Sequence, residues 1–60
     1  MSLLTELFGV EILNATLQEL KNEINYIAPA EPSKRAALLN DFATIKGIEL
    51  TAKDYEEIGV

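Results

Sequence analysis

The chain has 60 residues, no cysteine, no histidine and a formal net charge of −5. The lack of cysteine and histidine removes disulfides, the usual transition-metal sites and most nucleophilic and near-neutral acid–base chemistry, so we expect no enzyme, no metal and no cofactor. The negative charge disfavours direct binding to nucleic-acid phosphates and to anionic lipid headgroups.

No stretch reaches about 18 consecutive apolar residues, and the N-terminal residues lack the basic region and apolar run of a signal peptide. We therefore expect one small helical domain over residues 1–60, in the cytoplasm and without a membrane segment. A chain of this size buries only about 60% of the surface that it exposes when unfolded. Self-association or a larger partner would bury more apolar surface.

The first predicted element is a long amphipathic helix that begins near Leu3 and ends at the prolines. Its apolar stripe has heptad spacing, with Leu3, Val10, Leu17 and Ile24 at one position and Leu13, Leu20 and Ile27 at the other. Glu6 interrupts the stripe, and Gly9 costs about 1 kcal/mol relative to Ala inside a helix, so we expect a bend or a late start there. Leu4, Leu7, Phe8 and Ile12 widen the apolar surface of the first turns.

Two segments of this element, residues 9–13 and 23–27, could instead be extended, since Ile24 and Tyr26 alternate with Asn25. The heptad spacing continues through both segments, which favours the helix.

Pro29 and Pro32 end the first helix, because proline lacks a backbone N–H and disfavours helical geometry in the residue before it. The break covers residues 28–33. A second helix is predicted from residue 32 or 33 to Lys46, with Gly47 as its C-terminal cap residue. Its apolar face is formed by Leu38, Leu39, Phe42, Ala43 and Ile45.

Thr51 and Asp54 have the spacing of a capping box, which predicts a short third helix over residues 52–58. Glu56 and Glu57 lie at its C-terminal end, where the helix dipole disfavours negative charge, so this helix should fray unless something holds it. Together the elements predict an all-α, three-helix unit with a long first helix, a helical hairpin and a short C-terminal helix, able to form a dimer.

Several residues could suggest a catalytic or metal site. Glu19 and Glu23 share a helix face, but a helix surface lacks the substrate-sized cleft that paired carboxylates need. Asp54 and Glu57 are not part of a calcium loop. We assign none of these four a catalytic or metal-binding role.

The spacing of Ala43, Gly47 and Ile48 is similar to that of a helix-turn-helix, which would place the last helix on DNA. That helix is acidic, which disfavours direct contact with phosphates. A nucleic-acid-linked regulator or an acidic mimic of DNA therefore stays an alternative.

Two segments resemble known families. The stretch from Leu38 to Ile58, in which Gly47 to Thr51 is followed by an acidic helix, resembles the end of the leader region in one family of ribosomally made peptide precursors, but a double-glycine-like cleavage site is missing. Leu3-Leu4 with Gly9-Val10-Glu11, then Tyr26 with Ala28-Pro29, resembles the small docking domains of peptide and polyketide synthetases, with a longer spacing between the halves and no glycine after the proline. We assign the chain to neither family.

The predicted function is a non-catalytic protein–protein interaction module, such as a small inhibitor or adaptor, a kind of protein common among phage and mobile-element products. A self-assembling structural protein is the first alternative. The residues expected to bind the partner are large side chains of the first helix, namely Leu4, Leu7, Phe8, Leu17, Leu20, Ile24 and Tyr26.

Overall fold

A computed structural model describes residues 2–27 and 31–60 of the chain. Its elements are α1 (Leu3–Phe8), a 3-10 helix (Val10–Asn14), α2 (Leu17–Ile27), α3 (Pro32–Lys46) and α4 (Ala52–Glu57). The predicted all-α class is confirmed. The predicted break at residues 28–33 lies partly outside the described residues, because residues 28–30 are not among them.

The predicted long first helix is instead three shorter elements, α1, the 3-10 helix and α2. Gly9 separates the first two with φ 81° and ψ 170°, a backbone conformation that is essentially restricted to glycine. Its amide donates to the carbonyl of Thr5 at 2.8 Å and ends α1. The extended alternative does not occur either, since residues 10–13 lie in the 3-10 helix and residues 23–27 lie in α2.

A capping box starts α2. The backbone amide of Thr16 donates to a carboxylate oxygen of Glu19 at 2.8 Å, and the amide of Glu19 donates to the Thr16 hydroxyl at 3.1 Å. These bonds satisfy two donors that a helix start otherwise leaves free. The chain therefore begins a new helix at Leu17 rather than continuing an earlier one.

The predicted boundaries of α3 are confirmed. Pro32 occupies its first turn, and Gly47 ends it in the left-handed conformation with φ 69° and ψ 35°. The amide of Ile48 donates back to the carbonyl of Ala43 at 3.0 Å, which satisfies an acceptor in the last turn.

The core forms around α3, against which α1, the 3-10 helix and α2 all pack. The buried side chains of the core come from every element except α4, and from the residue after α4: Leu4, Ile12, Leu20, Ile24, Leu38, Leu39, Phe42 and Ile58. The heptad stripe is not one continuous face, since Leu20 and Ile24 are buried while Val10, at a stripe position, is 69% exposed.

The short α4 begins with the predicted capping box, in which the Thr51 amide donates to the Asp54 carboxylate at 2.8 Å. No residue within α4 is fully buried, but Ile58, directly after it, reaches the core. Among the described residues, no helix has the length and apolar character needed to cross a membrane.

Candidate functional site

An apolar groove of about 250 Å³ opens on the surface between α1, the end of α2 and the first half of α3. Among the residues that the structure describes, those lining the groove are Leu3, Leu7, Ile27, Lys34 and Leu38. Leu3, Leu7 and Ile27 are between 39% and 47% exposed. The groove thus brings together three large apolar side chains that the fold leaves partly open to solvent.

The packing of α1 explains why two leucines face outward. Ser2 caps α1 by accepting a hydrogen bond from the Thr5 amide at 3.2 Å. Leu4 is fully buried, and its amide donates to a carboxylate oxygen of Asp41 in α3 at 3.3 Å. Leu3 and Leu7 lie one helical turn apart and therefore share a face beside the one that Leu4 buries.

Lys34 is the charged residue among the described lining residues, and helix spacing places three glutamates beside that lining. The Lys34 ammonium lies 3.9 Å from a carboxylate oxygen of Glu31, and both side chains are largely exposed. Glu23 precedes Ile27 by one turn on the same face of α2, and Glu6 is the neighbour of Leu7. Both glutamates are exposed. We call Glu6, Glu23 and Glu31 the acidic rim.

Three of the seven predicted partner-binding residues lie in the core. Leu4, Leu20 and Ile24 are fully buried in the core of the same chain and offer no exposed surface in this conformation. Their spacing indicates that they share an apolar face, but that face packs on α3.

The other four predicted residues lie at or near the surface. Leu7 lines the groove. Phe8 and Leu17 are half-buried and pack against the core. Tyr26 is 87% exposed and precedes the groove residue Ile27, but it does not line the groove. The structure therefore gathers only Leu7 of the predicted set into the groove.

Four of the groove residues in the described ranges are absent from the predicted partner-binding set: Leu3, Ile27, Lys34 and Leu38. The heptad stripe places Leu3 and Ile27 in one long helix, and 24 positions of helix would keep the two residues far from each other even with a bend at Gly9. The capping-box pattern of Thr16 and Glu19 marks a helix start in the middle of the predicted long helix. This signal could have shown that Leu3 and Ile27 belong to different helices.

A second polar feature joins α2 to α4. The Lys21 ammonium lies 2.6 Å from Asp54 and 2.7 Å from Glu57, and the Lys21 side chain is only 7% exposed. Hydrogen bonds to Asp54 and then to Glu57 raise the pKa of Lys21. The hydrogen bond from Lys21, followed by that from the Thr51 amide, lowers the pKa of Asp54.

These pKa shifts favour the charged forms of Lys21 and Asp54, and their ion pair stabilises the contact between α2 and α4. Lys21 is therefore an ammonium rather than a nucleophilic amine. Among the described residues, no group of three Asp, Glu, His or Cys side chains could hold a metal ion.

No protein-family model, curated protein or solved structure matches this chain. The groove and its rim are therefore interpreted from their geometry and chemistry.

Proposed function

We propose that this chain is a non-catalytic protein-binding module that docks on a larger protein through the apolar groove. The observation that carries the proposal is the joint exposure of Leu3, Leu7 and Ile27 on one concave surface. Large apolar side chains gathered in a concave site are typical of protein interfaces, where a few anchoring side chains provide most of the binding free energy.

The size of the groove favours a protein side chain over a cofactor. Sites for drug-sized ligands and cofactors usually occupy about 300–1,000 Å³. The groove, at about 250 Å³, lies below that range. It has room for one or two anchoring side chains of a partner.

The chemistry of the chain supports binding rather than catalysis. The sequence contains no cysteine or histidine. The Lys21 ammonium is held between two carboxylates, and the Glu19 carboxylate accepts a hydrogen bond at the start of α2. A module of this kind acts by covering a surface of its partner, as an inhibitor or an adaptor in the cytoplasm.

The proposal is tested by comparing Leu7→Glu with Ile45→Glu. Leu7 is 47% exposed and Ile45 is 48% exposed, and only Leu7 lines the groove. Both changes add the same charge at equally exposed sites, so they differ chiefly in their distance from the groove.

The measurement is affinity capture from the source cell, with the three chains at equal concentration and with circular dichroism to establish that each is folded. We expect a partner that the unchanged chain and the Ile45→Glu variant retain and that the Leu7→Glu variant loses. Retention by a folded Leu7→Glu variant would place the interface elsewhere. Loss with both variants would mean that added charge, rather than the groove, governs binding.

A further inference from the structure

The charge of the acidic rim bears on which kind of molecule the groove can accept. Two of its carboxylates, Glu6 and Glu23, are exposed and make no hydrogen bond or ion pair with residues 2–27 or 31–60. Glu31 is 3.9 Å from Lys34, a long and solvent-exposed pair that contributes little stability. Beside the groove there are therefore three carboxylates, those of the acidic rim, and one ammonium, that of Lys34.

Three of the five positive side chains bond to other groups of the chain itself. Lys21 binds two carboxylates. Arg35 donates to the carbonyl of Ile58 at 3.3 Å. Lys46 donates to the carbonyl of Leu13 at 2.9 Å and lies over the Phe42 ring. The remaining two positive side chains, Lys34 and Lys53, are exposed, and of these two only Lys34 lines the groove.

The secondary structure around the groove also restricts the occupant. The groove is walled by α1, α2 and α3, whose backbone groups are mostly bonded within each helix. It offers no sheet edge to an extended segment in the described part of the chain. A helix satisfies its own backbone and needs only a place for one row of side chains, which is what the groove provides.

From these observations, and resting on the function proposed above, we propose that the groove accepts the apolar face of a cationic amphipathic helix of the partner. Leucine-sized side chains at i and i+4 enter between Leu3, Leu7 and Ile27. Lysine or arginine side chains beside them pair with Glu6, Glu23 and Glu31. A second copy of this chain is disfavoured, since each copy carries a net charge of −5 and the same acidic rim.

The test uses a synthetic helical peptide of roughly 18 residues built from leucine and lysine, with leucine on one face, and its leucine–glutamate counterpart. Binding to the full chain is followed by NMR, which reports both affinity and location. We expect the lysine peptide to shift the resonances of Leu3, Leu7 and Ile27, with an affinity that falls as salt is added. The glutamate peptide should cause no such shifts.

Charge variants then distinguish the effect of the acidic rim on peptide binding from the effect of the net charge of the chain. Glu6→Gln combined with Glu23→Gln removes two rim carboxylates, whereas Glu49→Gln combined with Glu56→Gln removes two exposed carboxylates away from the groove. Both pairs change the net charge equally. We expect the rim pair to weaken lysine-peptide binding roughly tenfold, as expected for two lost surface ion pairs, and the other pair to change it by less than about twofold.

Three results would overturn the inference. Equal weakening by both pairs would mean that only net charge attracts the peptide. Equal binding of the glutamate peptide would mean that the acidic rim does not discriminate between cationic and anionic helices. Shifts at the groove caused by laurate and abolished by Lys34→Gln, without peptide binding, would assign the groove to an anionic amphiphile. Each leaves the Leu7 capture experiment to decide the proposed function separately.

Discussion

The ammonium of Lys21 lies 2.6 Å from the carboxylate of Asp54, across 33 residues of chain. This pair joins α2 to α4, a six-residue helix with no fully buried residue of its own. Asn25 adds a hydrogen bond to the carbonyl of Glu57 at 3.0 Å, and Tyr55 donates to Asn40. These contacts hold a helix whose own sequence predicts fraying.

Replacement of Lys21 with methionine should lower the free energy of unfolding by about 2 kcal/mol. Removing one member of a fully buried pair costs about 3–5 kcal/mol, and the cost is smaller here because the carboxylates of Asp54 and Glu57 keep access to water. Urea unfolding followed by circular dichroism measures the change. Lys53→Met, at an exposed position, is the control and should stay within about 0.5 kcal/mol. Equal losses would contradict a specific role for Lys21.

Stability should fall in acid and again in strong alkali. The pKa of Asp54 is lowered by its bond from Lys21, so its contribution is present above the ordinary aspartate pKa of about 4 and is lost as pH falls through the lower folded value. The pKa of Lys21 is raised by Asp54 and Glu57, so its contribution is present below about pH 10 and is lost as pH rises beyond it.

The variant Asp54→Asn tests whether Asp54 causes the loss of stability in acid. This variant should be less stable than the unchanged chain near neutral pH and should lose less stability on acidification, as measured by the urea midpoint between about pH 7 and pH 3. Part of the acid-induced loss of stability should remain in this variant, because hydrogen bonds from Thr16 lower the pKa of Glu19 as well. Glu56→Gln serves as the control. If that variant also loses less stability in acid, general charge repulsion rather than the Asp54 pair produces the loss.

Gly9 and Gly47 should respond differently to alanine. Gly47 has left-handed geometry, and a methyl group added there would meet no other atom within 4 Å, so alanine should cost about 1 kcal/mol. Gly9 has φ 81° and ψ 170°, and a Cβ there would lie 2.8 Å from a carboxylate oxygen of Glu11. Alanine at this position should cost about 2–3 kcal/mol. Urea unfolding compares the two, and a smaller loss at Gly9 would contradict the break between α1 and the 3-10 helix.

Leu20 and Val10 distinguish the observed fold from one continuous heptad helix. Both positions belong to the predicted stripe, but Leu20 is fully buried and Val10 is 69% exposed. Leu20→Ala should cost about 2–5 kcal/mol, whereas Val10→Ala should stay within about 0.5 kcal/mol. Similar losses from both, in urea unfolding, would favour the continuous stripe.

Local signals predict the second half of the chain well. Pro32 and Gly47 bound α3, and Thr51 with Asp54 starts α4, because each acts through its own backbone geometry or an adjacent hydrogen bond. The prediction for the first half depends on heptad spacing, which persists across Gly9 even though the helix does not. Apolar residues can therefore keep helical spacing across a position at which the helix itself has ended.

The candidate groove is harder to predict than the fold. Spacing shows which side chains share a face, but not whether that face packs on the same chain. Leu20 and Ile24 therefore belong to the core, although their spacing also fits an interface. Ile27 and Leu3 meet only because the chain turns between α1 and α2, a tertiary relationship that spacing within one helix cannot contain.

The central position of α3 has a consequence for how the chain reaches this structure. Its ends are marked by its own residues, Pro32 and Gly47, and three other elements pack on it. A folding nucleus consisting of α3 and one neighbour would form early and quickly, with few long loops to close. The Lys21 contacts with α4 would then form after the rate-limiting step, so that their strength sets how slowly the folded chain opens rather than how fast it assembles.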